Sequence, residues 1–539
     1  MVNSYNRYSV NFTALSQQHF RLLCRLINPQ QVISLTLTNE YDGLNEIDLF
    51  LSNVRHLQSF TRLQNLVLEN INENQFDSLL KYANLTFITS FSMSIKHPGR
   101  RIAQVTEKLL TSIITQPGLR QLRLSLSYLN VLRTGYGTVS MVRYLFVRHW
   151  NKINDLYEIF QSCPHLHTVV LQEDLGRLDF NGVREFKPRS AFHQIRSLTL
   201  EEFMEDIEIL ELVLAMVPSL NHLTIIGPYS NLNLDGHRWQ HLLEINLPQL
   251  KRFEFFLRPI CIDKRTLDEL ETFNTTFQTP FWIEQKQWFI IVEYRTKSLS
   301  NIRIYTIPLC TRELVCDLEF TQLPSLATTM RTEHNNVKRI SVELDESIDV
   351  SAERQEIFNN YRFSKITDLT LVFYSSWSGS LLPLTLMAID ITNMVYMTLA
   401  YHCKKSVSED VLKLVCSWLE QAQNLRCLEI YGEFLEFVTS SQLESILSIL
   451  QHRLQCLEIR IKHLDQMKIF LERCDNLSRL KFHFDKNISK EIKQWFNDNT
   501  IGSICWGEYH SVFVWLGKLN TQCTLPEINQ KRMKVDSFS

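Results

Sequence analysis

The 539-residue sequence has little glycine and little proline, fourteen of each. That scarcity argues against a flexible linker dividing the chain, because linkers draw their loose or extended backbone from such residues. None of the twelve cysteines stands in a Cys-x-x-Cys pair, which removes the usual spacing of a structural zinc site or redox dithiol. Cys24, Cys163, Cys416 and Cys474 instead sit in helical or strand patterns where a small buried hydrophobe is wanted. Reduced thiols, in the cytoplasm or nucleus, are the expectation. No apolar run reaches the roughly eighteen residues of a membrane span; the nearest, Leu381 to Ile389, is broken by Pro383 and Thr385 and stops at Asp390. The first twenty residues carry Asn3, Tyr5, Asn6, Arg7 and Tyr8 with no apolar segment, so a secretory signal and a membrane partner are not expected. Charge of one sign is missing too. The net charge is −2, and a binder of nucleic-acid phosphate is expected to be markedly basic.

Recognised catalytic signatures are likewise missing. Gly517-Lys518 lacks the upstream glycine of a phosphate-binding loop, and Ser378-Gly379-Ser380 lacks the strand–turn–helix setting of a nucleophile elbow. No His-Glu-x-x-His occurs, and His165 and His167 share a strand face without a third ligand in view. The sequence therefore assigns no catalytic, cofactor-binding or metal-binding residue, and a non-enzymatic protein is expected.

What the chain does have is one short phrase that returns: apolar, two variable residues, apolar, one variable, apolar. Leu425-Arg426-Cys427-Leu428-Glu429-Ile430 has it, and so does Leu454-Gln455-Cys456-Leu457-Glu458-Ile459, 29 residues on. It starts at Val32, Leu63, Ile88, Leu119, Leu166, Ile195, Leu220, Leu250, Leu299, Val337, Ile366, Met394, Leu425, Leu454, Leu477 and Ile501. Most steps are 23 to 31 residues; three are longer, at 47, 49 and 38. That period belongs to a leucine-rich repeat, with one strand and one helix in each unit. The expected fold is α/β: a leucine-rich-repeat solenoid, or horseshoe, with a parallel concave sheet, outer helices and about 15 to 16 irregular repeats.

The organisation follows. Residues 1–31 form an N-terminal cap in which Phe20, Leu22, Leu23, Leu26 and Ile27 cover the open end. Residues 32–518 form the solenoid, and 519–539 a loose polar tail. Two insertions interrupt the repeat. In the first, about 126–163, Val142, Leu145, Phe146, Ile153, Leu156, Tyr157 and Phe160 fall at helical spacing and predict a long amphipathic helix. In the second, about 258–298, Thr279–Ile283 and Trp288–Val292 predict a hairpin around Glu284-Gln285-Lys286-Gln287.

Side chains alternate along a strand, so the variable positions of each phrase turn away from the core onto the concave face. Early units present Ser34, Thr36, Ser90 and Ser92 there; later ones present charge, such as Glu429, Glu458 and Lys481. Aromatic and arginine side chains anchor most interfaces. Phe256, Tyr396, Tyr431, Arg460 and Arg479 are therefore the candidate partner-binding residues.

The opening Phe20-Arg21-Leu22-Leu23-Cys24, with Ile27-Asn28-Pro29-Gln30-Gln31-Val32-Ile33-Ser34-Leu35, then Phe60-Thr61-Arg62-Leu63-Gln64-Asn65-Leu66 and the Phe281-Trp282…Trp288 segment, resembles the ribonuclease-inhibitor-like repeat proteins. More narrowly, it resembles the repeat portion of F-box/leucine-rich-repeat proteins, across nearly the whole repeat region. The resemblance implies a protein-binding scaffold. Its alternative implication is a substrate receptor of a cullin-RING ubiquitin ligase, held by a Skp-type adaptor through an F-box of about forty residues that opens with Leu-Pro and an acidic residue. Only 31 residues precede the first phrase, without that opening, so this implication needs an F-box that is missing or diverged here or that lies upstream of Met1.

Overall fold

In a computed structural model, the described residues are 8–12, 17–39, 46–53, 59–81, 85–95, 104–125, 140–148, 153–172, 190–203, 207–229, 235–259, 266–295, 298–317, 320–323, 325, 332–344, 361–374, 389–402, 409–432, 440–461, 464–474, 476–484, 489–501, 503–506, 511–516 and 518–519. Residues 126–139, in the first predicted insertion, and the tail beyond 519 lie outside them.

The apolar seats of the phrase become the buried positions of parallel strands. Ten of these run in chain order and pair each with the next: β1 (Tyr8–Asn11), β2 (Val32–Thr38), β3 (Asn65–Ile71), β4 (Ser90–Ile95), β5 (Gln121–Ser125), β6 (Tyr144–Arg148), β7 (Thr168–Gln172), β8 (Ser197–Glu201), β9 (His222–Tyr229) and β10 (Arg252–Pro259). There follow β11 (Ile290–Arg295), β12 (Ser298–Thr306), β13 (Glu313–Asp317), β14 (Phe320–Gln322), β15 (Thr332–Glu333), β16 (Arg339–Leu344), β17 (Tyr361–Arg362), β18 (Asp368–Phe373) and β19 (Tyr396–Tyr401). The last are β20 (Cys427–Gly432), β21 (Cys456–Arg460), β22 (Arg479–His483), β23 (Thr500–Ile501), β24 (Ile504–Trp506), β25 (Ser511–Trp515) and β26 (Lys518–Leu519). Helices such as Glu73–Leu80, Gln104–Ile114 and Ile207–Met216 connect successive strands and bury one side against them. This is a mixed α/β repeat array built on parallel sheet.

Among the described residues the array forms two large sheets rather than one ribbon, beside the two-stranded pairs β15–β17 and β23–β26. The backbone shows the break at the residue just ahead of each strand, whose N–H bonds the matching carbonyl of the preceding unit. That ladder runs unbroken through Gln64, Thr89, Arg120, Arg143, His167, Arg196, Asn221 and Lys251, and restarts at Lys338, whose N–H meets the Arg312 carbonyl at 2.8 Å. Between them the chain makes an antiparallel hairpin of β11 and β12, so the first sheet ends in the order β10-β12-β11-β14. The second sheet runs β13-β16-β18-β19-β20-β21-β22-β25-β24.

Several expectations change. The predicted long helix of 126–163 contains β6, followed by a shorter helix, Ile153–Ser162. Val142, Leu145 and Val147 are buried and repeat the phrase, splitting the 47-residue step into 23 and 24. Val142, Leu145 and Phe146 fit a helical period as well as a strand, and the free edges of β5 and β7 decide for the strand. The predicted hairpin moves: Phe281–Gln285 is a π-helical turn, and the hairpin spans β11 and β12. Aromatic rings explain the turn, since Trp282 sits at 5.3 Å from Phe277 and 5.1 Å from Phe281, closing the end of the first core. The phrase at Leu299 is thus antiparallel, and a parallel strand that the phrase missed, β13, lies beside β16 with Thr311 buried ahead of it. The phrase at Ile501 also turns back, with β25 antiparallel to β22 and β24 antiparallel to β25. At the other end the helix Gln17–Leu26 leaves Leu22 and Leu26 exposed, at 52% and 69%. The edge of β2 is covered instead by β1, with Phe12 against Phe20 at 4.5 Å.

Candidate functional site

Register fixes which side chains share the open face, the one turned away from the buried apolar seats. Gln172, Glu201, Ile226 and Phe256 form one row across β7 to β10. Glu313, Arg339, Asp368, Tyr396, Cys427, Cys456 and Arg479 form another across the second sheet. The end of the first row meets the start of the second where the sheet is interrupted. A cleft of about 480 Å³ opens there.

Its walls are charged. Arg123, Arg258, Arg303, Arg312, Lys338 and Arg339 line it together with Glu201, Glu202, Glu313 and Asp368. Arg339 contacts Glu313 at 2.6 Å and Asp368 at 3.8 Å. The Arg303 guanidinium lies 3.8 Å over the Phe320 ring and donates to the Val315 carbonyl at 2.8 Å. Arg123 covers Phe146 at 4.1 Å. Burial raises the Glu201 carboxyl above its ordinary value, opposed by Arg312 and Arg123 nearby. Beside the cleft, buried Glu254 takes Arg252 at 2.6 Å and lies 2.9 Å from His222 Nε2. Burial alone would raise Glu254, but those two partners hold it below the ordinary carboxylate range.

A second polar cluster lies on β20 to β22. Glu458 Oε1 accepts from Tyr431 Oη at 2.9 Å and Lys481 Nζ at 2.9 Å, with His483 Nε2 at 2.7 Å. Burial opposes ionisation of Glu458, but the bonds from His483 and Lys481 prevail and bring it down to about 2. Glu429, desolvated and facing Glu458, is pushed up to about 8.

Of the candidate residues, Phe256 lines the cleft but is largely covered by its neighbours. It is 4% exposed, 5.7 Å from the Tyr305 ring, and belongs to the core of the second half. The reason is β12, which pairs Tyr305 opposite Phe256 and shields its open-face ring. Tyr396 and Arg479 stand half-buried in one row, with Cys427 and Cys456 between them. Tyr431 and Arg460 lie half-buried on neighbouring strands, and Arg460 pairs in register with His483. Burial lowers the Arg479 guanidinium to about 10. The cleft cations are new. Alternation from Phe256 reaches Arg258, but Arg312, Lys338 and Arg339 become neighbours of β10 only through the sheet interruption, which no phrase announces.

Among the described residues no group of three or more His, Cys, Asp or Glu could hold a metal ion, and no helix is long and apolar enough to cross a membrane.

No family model matches the chain, and no curated protein does. Similar solved structures include the crystal structure of the Rad7 and Elc1 complex in yeast, at 14% identity and a TM-score of 0.32, covering 74% of this chain and 85% of that one. A protein from Bacteroides fragilis is similar at 12% identity and a TM-score of 0.26, covering 50% of this chain and 70% of that one. At those scores neither likeness carries an argument.

Proposed function

We propose that this chain is a non-enzymatic protein-interaction scaffold of the leucine-rich-repeat, horseshoe type, binding a protein partner on its concave sheet face. The observation that carries the reading is the charged cleft where the two sheets meet, continuous with a row that includes Tyr396 and Arg479. Concave sheet faces of repeat arrays offer long docking surfaces. Tyr396, Tyr431, Arg460 and Arg479 are the proposed contacts outside the cleft, in the cytoplasm or nucleus. The narrower reading, a ubiquitin-ligase substrate receptor held by a Skp-type adaptor, rests on the sequence resemblance alone, and co-purification with that adaptor would test it.

The scaffold reading is tested by quantitative capture from the source cells. Wild type is compared with the double change Tyr396→Ala and Arg460→Glu, and with Glu472→Lys on an exposed helix position. The expected result is a set of proteins lost with the face variant and kept with the helix variant. Identical captured sets for all three would sink the reading.

A further inference from the structure

We infer that the cleft between the two sheets recognises an acidic peptide segment of the partner, engaging its anionic side chains with Arg258, Arg312 and Lys338. The inference rests on the scaffold reading and adds the chemistry of what is bound. Its basis is which cations are already occupied. Arg339 is matched by Glu313 and Asp368, Arg303 is stacked on Phe320, and Arg123 is stacked on Phe146. Among the described residues, Arg258, Arg312 and Lys338 form no direct ion pair and no aromatic ring lies under them, and Arg312 acts on Glu201 only through space. Arg258 and Arg312 are exposed and Lys338 is half-buried, so all three can be reached from solvent.

Charge selects the class of ligand. Six cations against four carboxylates leave an excess of two positive charges in about 480 Å³, a volume in the range of pockets that hold a compact ligand. Nucleic acid is disfavoured, because its phosphates would meet Glu201, Glu202, Glu313 and Asp368 in the same walls, and its affinity grows with the number of phosphates neutralised. A peptide whose acidic groups are spaced by neutral residues can meet the three open cations and leave the wall carboxylates hydrated. Bidentate geometry at two arginines suits carboxylate or phosphoryl oxygens equally.

The test is fluorescence anisotropy on the full chain. Four probes are used: a short labelled peptide alternating Glu and Ser, the same peptide with phosphoserine for Glu, a Lys–Ser control, and a single-stranded oligonucleotide. The Glu or the phosphoserine peptide should bind, and their ratio decides between carboxylate and phosphoryl as the preferred anion. Binding should weaken with salt, since partly exposed pairs are screened. The triple change Arg258→Gln, Arg312→Gln and Lys338→Gln should weaken it by roughly tenfold or more, or about 1.4 kcal/mol, with an unchanged thermal melt. Equal binding of acidic and Lys–Ser peptides, tighter binding of the oligonucleotide, or a silent triple variant would overturn the inference. Should the peptides fail while Tyr396→Ala with Arg460→Glu still loses captured partners, the scaffold reading stands and the acidic-segment assignment falls.

Discussion

Glu429 and Glu458 face each other across β20 and β21, one carboxylate saturated with donors and the other left almost without them. Tyr431, Lys481 and His483 all converge on Glu458, whereas Glu429 accepts from Thr398 Oγ1 at 3.1 Å. Two carboxylates in one half-buried row cannot both ionise freely, so the proton settles on Glu429.

The pH dependence follows with its sign. Glu429 rises from an ordinary 4.5 to about 8 on folding. Its favourable contribution is complete below pH 4.5 and is lost as pH climbs through about 8. Glu458 is lowered to about 2, so its contribution is present above 4.5 and lost in the acid range below it. Glu429→Gln should melt with wild type near pH 5 and about 1 to 3 °C higher near pH 9, a small shift because the site is half-buried. Parallel melting-temperature profiles for the two proteins across that range would refute the assignment of the proton.

Most of the repeat was legible because its apolar seats are local. Leu425, Leu428 and Ile430 are all buried and lie three and two residues apart. What escaped depended on partners distant in sequence. Leu145 and Phe146 could be read as helix until β5 and β7 supply strands on both sides. Thr311 hid a unit because a hydroxyl occupies the first apolar seat, its Oγ1 bonded to the Glu313 carbonyl at 2.8 Å. The candidate site was harder to see. Alternation placed Phe256 on the open face, yet only the antiparallel return of β12 sets Tyr305 beside it and leaves its ring largely covered within the cleft wall.

The missed strand can be tested at one residue. In a helical reading of this stretch, Val147 falls outside the apolar set of Val142, Leu145 and Phe146. In β6 it is fully buried. Val147→Asp should therefore destabilise by about 3 kcal/mol or more, the scale of an unpaired buried charge. A urea midpoint within error of wild type would return the segment to a surface helix.

Gly236 offers a reversal of the usual propensity rule. It opens the helix Gly236–Asn246, where replacing glycine with alanine would ordinarily stabilise by up to about 1 kcal/mol. Its N–H donates to Thr276 Oγ1 at 2.7 Å, and a Cβ there would run into the Thr276 carbonyl. Gly236→Ala should destabilise by about 2 kcal/mol through overpacking against backbone. Gly118→Ala, whose Cβ would stand 3.1 Å from the Ile88 carbonyl, should cost less. Chemical denaturation of the two variants checks the order, and a stabilised Gly236→Ala would show that the corner relaxes.

Cys427 and Cys456 pair in register on β20 and β21, and their half-buried thiols titrate as neighbours. The neighbouring Cys456 lowers the Cys427 thiol, whereas the neighbouring Cys427 and burial raise Cys456. The thiolate is the nucleophile, so limiting iodoacetamide at mildly alkaline pH should modify Cys427 well before Cys456. Cys24, which burial pushes up to about 12, should stay unmodified in the folded protein. Cys456→Ala removes that neighbouring thiol and should slow alkylation of Cys427 by several-fold, read by peptide mass mapping over time. Equal rates at Cys427 and Cys456 in wild type would mean that the two thiols do not influence each other, and the row between Tyr396 and Arg479 would then carry two ordinary thiols.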